Sequence, residues 1–267
     1  EETADGAQTM VDAGLWEQVP HPEILFGSHV FPIERGTFVL KGGEFLAASD
    51  SMKVTVYGEG AHGSQPERSV DPIVMASAMI TRLQTIVSRE VSPLESAVVT
   101  VGMFQGGFKE NIISNTAMFT LNVRTFNPEV REKVLSSIKR IIEGEAVVAG
   151  APKPPEFEVL PGFPYTQNDA DATADLQKVF FEEFGEDRVN TDPSIRYMGS
   201  EDFSTLATTL GIPYVFWVFG GYSADVINGD GPVYSNHSPY FAPDPEETLA
   251  GASHAALTAL YSKLGKK

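Results

Sequence analysis

From Ser51 to Tyr57 (SMKVTVY) apolar and polar residues alternate, the period-two pattern of a strand with one covered face. The period then changes. Asp71-Pro72 supplies an N-cap and a proline at the first helical position, and Ile73, Ala76, Ile80, Leu83 and Val87 follow three or four apart, predicting one apolar helix face. Ala97 to Phe104 and Ala117 to Phe126 predict two further strands. Asn127-Pro128 caps a second helix with Val130, Val134, Ile138 and Ile141 on its apolar side, and Glu156 to Leu160 closes with a strand. The order β-α-β-β-α-β is that of the split ferredoxin-like unit, placed at residues 50–161.

The flanks read differently. Thr3 to Leu15 has helical character that stops at Gly14. Glu23 to Val30 (EILFGSHV) predicts a buried strand delivering His29 at its end, just before Pro32. Asp169 to Phe184 predicts a helix, and Ile212 to Phe219 (IPYVFWVF) a central strand covered on both faces. Asp244-Pro245-Glu246-Glu247 opens the last helix with a cap and a glutamate three residues on. Residues 1–49 and 162–267 are therefore expected to form one α/β domain, interrupted by the ferredoxin-like insertion at 50–161.

Composition narrows the chemistry. Acidic residues outnumber basic ones 36 to 19, a net charge of −17 over 267 residues, which opposes a phosphate backbone and argues against a nucleic-acid partner. No apolar run approaches a membrane span. There is no cysteine, so a metal site in this chain must draw on His, Asp or Glu. Of five histidines, His21 and His254 read as surface or hydrogen-bonded residues. His29, His62 (in GEGAHGSQP) and His237 (in YSNHSPYF) stand by glycines, prolines or a strand end, where functional loops concentrate. Glu1-Glu2 is equally well a solvated helix start, Glu201-Asp202 a pair of helix-start acids after Ser200, and Arg124, on the polar side of its strand with Asn122 and Thr120, an exposed sheet residue or a carboxylate clamp. Spacing alone leaves these alternatives open.

Six motifs in order carry a resemblance: Glu1-Glu2, GSHVFP (27–32), GEGAHGSQPERSVDPI (58–73), GGFKENII (106–113) with NVRTF (122–126), MGSEDF (198–203) and NHSPYFAPD (236–244). Together they resemble the amidohydrolase branch of the aminoacylase and carboxypeptidase-G-like metallopeptidases, which includes hippurate hydrolases, N-acyl-amino-acid amidohydrolases and indoleacetyl-amino-acid hydrolases. The resemblance implies a metal-dependent aminopeptidase-like α/β catalytic domain carrying a ferredoxin-like α+β lid. It implies hydrolysis of N-acyl amino acids, with Glu1 as general base and Glu2, His29 and His237 as ligands of a divalent metal, zinc by default and Mn, Co or Ni as alternatives. His62 becomes a catalytic lid residue, while Asn111, Arg124 and, in the cleft, Glu201 contact substrate. A homodimer through the lid and a cytoplasmic location are further expectations. The family's H-A-C-G-H segment, which gives a cysteine and a histidine to the metal pair, has no counterpart in this sequence, so an N-terminally truncated chain with three of five ligands is expected. Ser114 replaces the proline usual after N-x-I. Competing readings are an inactive, dimerising remnant and a dipeptidase or deacetylase of the same superfamily. His29 favours the amidohydrolase branch, since peptidase relatives usually place Asp there.

Overall fold

A computed structural model describes residues 6–265. Two compact units divide the chain: Leu46–Tyr165 with Met198–Glu201, and Gly6–Phe45 with Thr166–Tyr197 and the residues from Asp202 onward.

The first unit is a four-stranded antiparallel sheet backed by two helices. The strand Thr116–Thr125 lies between Ala97–Gly106 and Ala48–Tyr57, and Glu156–Phe163 pairs on the far side of Ala48–Tyr57. Along Thr116–Thr125 the odd-numbered residues Ala117, Phe119, Leu121, Val123 and Thr125 are buried while their even-numbered neighbours are not, as the alternation predicts. The buried face packs on the helices Pro72–Thr85 and Pro128–Ala149 through Val54, Phe119, Met79, Leu83, Ile138 and Ile142. Both helices start as expected: Asp71 accepts from the backbone N–H groups of Ile73 and Val74, and Asn127 from that of Val130.

The first helix departs from its predicted face. The buried stripe runs Met75, Ala76, Met79, Leu83 and Ile86 along the whole helix, so Ile73 and Ile80 are only half-buried and Val87, in the closing π turn Ile86–Glu90, is exposed. Ser114 takes the family's proline position and donates through its hydroxyl to Thr116 O.

In the second unit Tyr214–Tyr222 is almost wholly buried, as expected of a central strand. It pairs parallel with Leu25–Glu34 and antiparallel with Phe38–Val39, which Val189–Asn190 joins in parallel. Leu176 and Phe180 of the helix Ala170–Phe184, with Ala255 and Ala259 of the helix Pro245–Leu264, cover Trp217, Val215 and Leu40. Buried Asn168 spends its amide fully on the strand backbone: Nδ2 donates to Lys41 O and Phe216 O, and Oδ1 accepts from Phe216 N–H.

Two expectations in this unit need correction. Leu25–Glu34 is an edge strand, half-buried rather than buried, and it runs through Pro32 instead of stopping before it. Proline has no N–H to donate, so the pairing breaks there as an irregularity between Phe31 and Glu34 while the extended backbone continues. His29 thus sits inside the strand, opposite Val218. The N-terminal helix covers Gly6–Asp12; Gly14, at φ 79°, ends that run and a short helix, Leu15–Gln18, restarts after it. Thr3, where that helix was expected to start, lies outside the described residues. No helix among the described residues is long and apolar enough to cross a membrane.

Candidate functional site

His29 is placed by the parallel pairing of its strand with Tyr214–Tyr222. Two residues earlier, Gly27 leaves no room for a side chain, since a Cβ there would stand 2.9 Å from the rings of Phe203 and Phe216. The His29 ring is half-buried, with Nδ1 2.8 Å from Val30 O. A carbonyl only accepts, so Nδ1 carries the proton and Nε2 keeps the lone pair. Asn236 Nδ2 donates to the same Val30 O at 2.7 Å and lies 3.5 Å from His29 Nδ1. The loop bearing His237 is therefore tied to the backbone beside His29. His237 has φ 67°, the one positive φ at a non-glycine among the described residues, a conformation that costs an L-residue about 1–2 kcal/mol. Strain of this kind is retained where the surroundings over-determine the backbone.

In the first unit, Ala61–His62 pairs with Ile112–Ile113, and Gly63 N–H donates to Asn111 O at 2.8 Å. His62 and Asn111 are thus neighbours on one short ladder, and both are exposed. The approach is tight: a Cβ on Gly63 would meet Asn111 O at 3.0 Å. His62 Nδ1 accepts from the backbone N–H of Ser64 at 3.2 Å and lies 2.7 Å from Ser64 Oγ. A backbone N–H only donates, so here Nδ1 holds the lone pair and Nε2 the proton.

Arg124 is half-buried and already engaged. Nε donates to Asn122 Oδ1 at 3.1 Å, and Nη1 donates to Met198 O and to Ser200 Oγ. Asn122 is held in turn by the hydroxyls of Ser49 and Ser51, so a polar chain on the open sheet face orients the guanidinium. Glu201 is buried, and the neighbouring Asp202 accepts from Ala7 N–H at 2.8 Å. The following helix, Ser204–Thr208, has Phe203 as its cap, so Ser200 does not start a helix at the acidic pair.

The predicted lid residues do not converge. The His62–Asn111 ladder adjoins the Thr116 end of the central strand, where Gly58 N–H donates to Asn115 O and Gly60 N–H to Asn115 Oδ1. Arg124 lies eight residues along that strand, opposite Ser49, about 26 Å away at strand rise. Among the described residues no group of three or more His, Asp or Glu side chains is assembled to hold a metal ion, and Glu1 and Glu2 lie outside the described residues. His29 nonetheless fits a ligand role: an imidazole fixed through Nδ1–H to a backbone carbonyl is how metal-binding histidines are commonly oriented. His21 and His254 are spent on Trp16 O and Glu183.

Sequence reading gave no role to Asn236, Ser64 or Asn122, although each lies within two residues of a chosen residue and inside a motif that carries the resemblance.

Residues 48–149 match the peptidase dimerisation domain of the M20 family. This segment is an M20 dimerisation domain. The chain is 34% identical over 266 residues to hippurate hydrolase of Campylobacter jejuni, covering 98% of this chain and 65% of that protein. It is equally identical to an IAA-amino acid hydrolase of Arabidopsis thaliana, covering 98% of this chain and 58% of that one. Among solved structures, a dinuclear metal-binding peptidase of the M20 family from Bacillus subtilis superposes with a TM-score of 0.71 at 28% identity, over 98% of this chain and 63% of that one. The chain thus spans about three-fifths of the length of these relatives, and they are its homologues. Its mixed α/β fold with an M20 dimerisation domain is the architecture of their family.

Proposed function

We propose that this chain contributes to the hydrolysis of the amide bond of N-acyl amino acids. The supporting observation is that two histidines are held in opposite tautomers, one turning a lone pair outward and the other a donor. Amide hydrolysis uses both, a base ligand for a divalent metal and a donor for the oxygen that gains charge. Hippurate and an IAA–amino acid conjugate, named for the two sequence relatives, are each an acyl group joined by an amide to an amino acid.

In this reading Glu2, His29 and His237 would hold the metal, zinc by default, with Mn, Co or Ni as alternatives. A divalent metal, when bound, supplies a Lewis acid and lowers the pKa of water toward about 7. Glu1 takes a proton from the attacking water and returns it to the departing nitrogen. His62 Nε2–H donates to the acyl oxygen as negative charge develops, with Asn111 beside it. Arg124, pre-oriented by Asn122, receives the α-carboxylate, and the Glu201-Asp202 loop lines the cleft.

Arg124 stands about 26 Å along its strand from the Thr116 end that the His62 ladder adjoins, and in this reading one small substrate does not span both within one chain. A homodimer through the dimerisation domain solves this, with Arg124 from one copy and His62 and Asn111 from the other.

The test is amino-acid release from hippurate and a panel of N-acyl amino acids and dipeptides, with Zn or Mn supplied, for wild type and His62→Gln. Release from the acyl amino acids, lost in His62→Gln, is expected. Preference for dipeptides would instead favour a dipeptidase, and metal binding without any release a dimerising remnant.

A further inference from the structure

The turn that carries His62 holds a group to which the proposed chemistry gives no task. Ser64 directs two polar atoms at one ring nitrogen, its backbone N–H at 3.2 Å and its hydroxyl oxygen at 2.7 Å from His62 Nδ1. The hydroxyl alone decides nothing, because it rotates and either donates to a bare Nδ1 or accepts from a protonated one. The backbone N–H sets the direction, while the hydroxyl, at 2.7 Å against 3.2 Å, makes the shorter and stronger of the two contacts. The N–H is fixed by the turn, it only donates, and it faces Nδ1. The turn itself is held from both sides: Gln65 N–H donates to His62 O at 2.8 Å, and Gly63 N–H to Asn111 O at 2.8 Å. With the N–H in place, the hydroxyl is left one productive role at that nitrogen, which is to donate as well.

We propose that Ser64 is a positioning residue that locks His62 in its Nε2–H tautomer, so that the outward nitrogen is a hydrogen-bond donor. The inference deepens the proposed function and rests on it for the use made of that donor, the acyl oxygen of an N-acyl amino acid. His62 is exposed, and water is free to donate to or accept from any ring nitrogen left unguarded. Ser64 occupies Nδ1 and removes that ambiguity. A His62 with its proton on Nδ1 would turn a lone pair toward the developing oxyanion, which is repulsive where attraction is needed.

The lock is read without any turnover. The full chain is labelled with 15N-histidine and long-range 1H–15N correlations are recorded at alkaline pH, where a solvated imidazole is neutral. His62 is assigned by the resonances missing in His62→Gln. In wild type, Nε2 is expected at the pyrrole-type shift and Nδ1 at the pyridine-type shift. Ser64→Ala keeps the backbone N–H and therefore the turn. It is expected to move Nδ1 upfield and Nε2 downfield as the second tautomer becomes populated, while the other four histidines stay in place and report an intact fold. Ser64→Thr, which restores a hydroxyl, returns the wild-type shifts. A pyrrole-type Nδ1 in wild type, or unchanged shifts in Ser64→Ala, overturns the proposal. Failure of the amidohydrolase reading shows separately, as no amino-acid release by wild type, or of the role given to His62, as release that survives His62→Gln, while the lock is still seen.

Discussion

At the scale of single residues, the chemistry turns on which ring nitrogen of a histidine is occupied from behind. His29 gives Nδ1–H to Val30 O, and His62 receives at Nδ1 from Ser64, so one side-chain type serves two opposite ends. Asn236 matters for the first of these. Its amide grips the carbonyl that His29 already uses, and it adjoins His237 in its left-handed conformation. Asn236→Ala removes the tether of the His237 loop without touching the His29 bond. It is expected to weaken binding of Zn or Mn about tenfold, the lower end of the effect of losing such an outer partner. Equilibrium dialysis with metal analysis measures this, and unchanged affinity would detach the His237 loop from the metal site.

At the scale of elements, helix starts and one helix–helix clasp hold the sheet's support in place. Asp71 satisfies two backbone donors at the start of the helix Pro72–Thr85. Asp71→Ala should cost about 1 kcal/mol, read from urea unfolding. At the other end of this helix, Glu90 in the π turn accepts from Arg140 at 2.7 and 2.8 Å and from Ser137 Oγ at 2.9 Å, clasping it to Pro128–Ala149. The Arg140 guanidinium holds the Glu90 carboxyl below the usual glutamate range, against the opposing effect of burial and with smaller help from the Ser137 hydroxyl. A depressed carboxylate stabilises the fold at pH values above its unfolded pKa, and that stability is lost as pH falls through its lower folded value. Glu90→Gln should therefore lower stability at neutral pH and flatten its decline in acid, measured as melting temperature against pH. An unchanged acid slope would show that the clasp carries no weight.

At the scale of the whole molecule, the proposed function asks Arg124 and His62, which lie toward opposite ends of the domain's central strand, to serve one substrate from two copies. If two copies share each site, Arg124→Ala and His62→Gln damage different contributions to it. Mixed in equal amounts and allowed to exchange subunits, the two inactive variants should recover about a quarter of the wild-type sites, because half the dimers are mixed and each mixed dimer has one intact site. Hydrolysis of hippurate by the mixture measures this. No recovery, with exchange verified by mass, would rule out sharing.

The amino-acid sequence by itself fixed the elements of the dimerisation domain, because each wears its period openly: alternation in Thr116–Thr125, three-and-four spacing in Pro128–Ala149, and caps at Asp71 and Asn127. It also offered His29, His62, Asn111 and Arg124 as candidates, through the resemblance its motifs carry. What it left undecided depends on partners distant in sequence or on local backbone. The Val87 prediction failed because Met75, Met79 and Ile86, not Ile73, Ile80 and Val87, complete the buried stripe with Ala76 and Leu83, and spacing alone does not separate two apolar stripes that share residues. The strand Leu25–Glu34 was read as buried because apolar content does not say whether a strand lies at the centre or the edge of its sheet. The bond joining Asn236 to Val30 spans 206 residues, and that between Arg124 and Ser200 spans 76. Only the tertiary structure brings such groups together, and only it shows that the short ladder of His62 adjoins the Thr116 end of the strand whose other end carries Arg124, since distance along a folded sheet is set by pairing register and not by motif order.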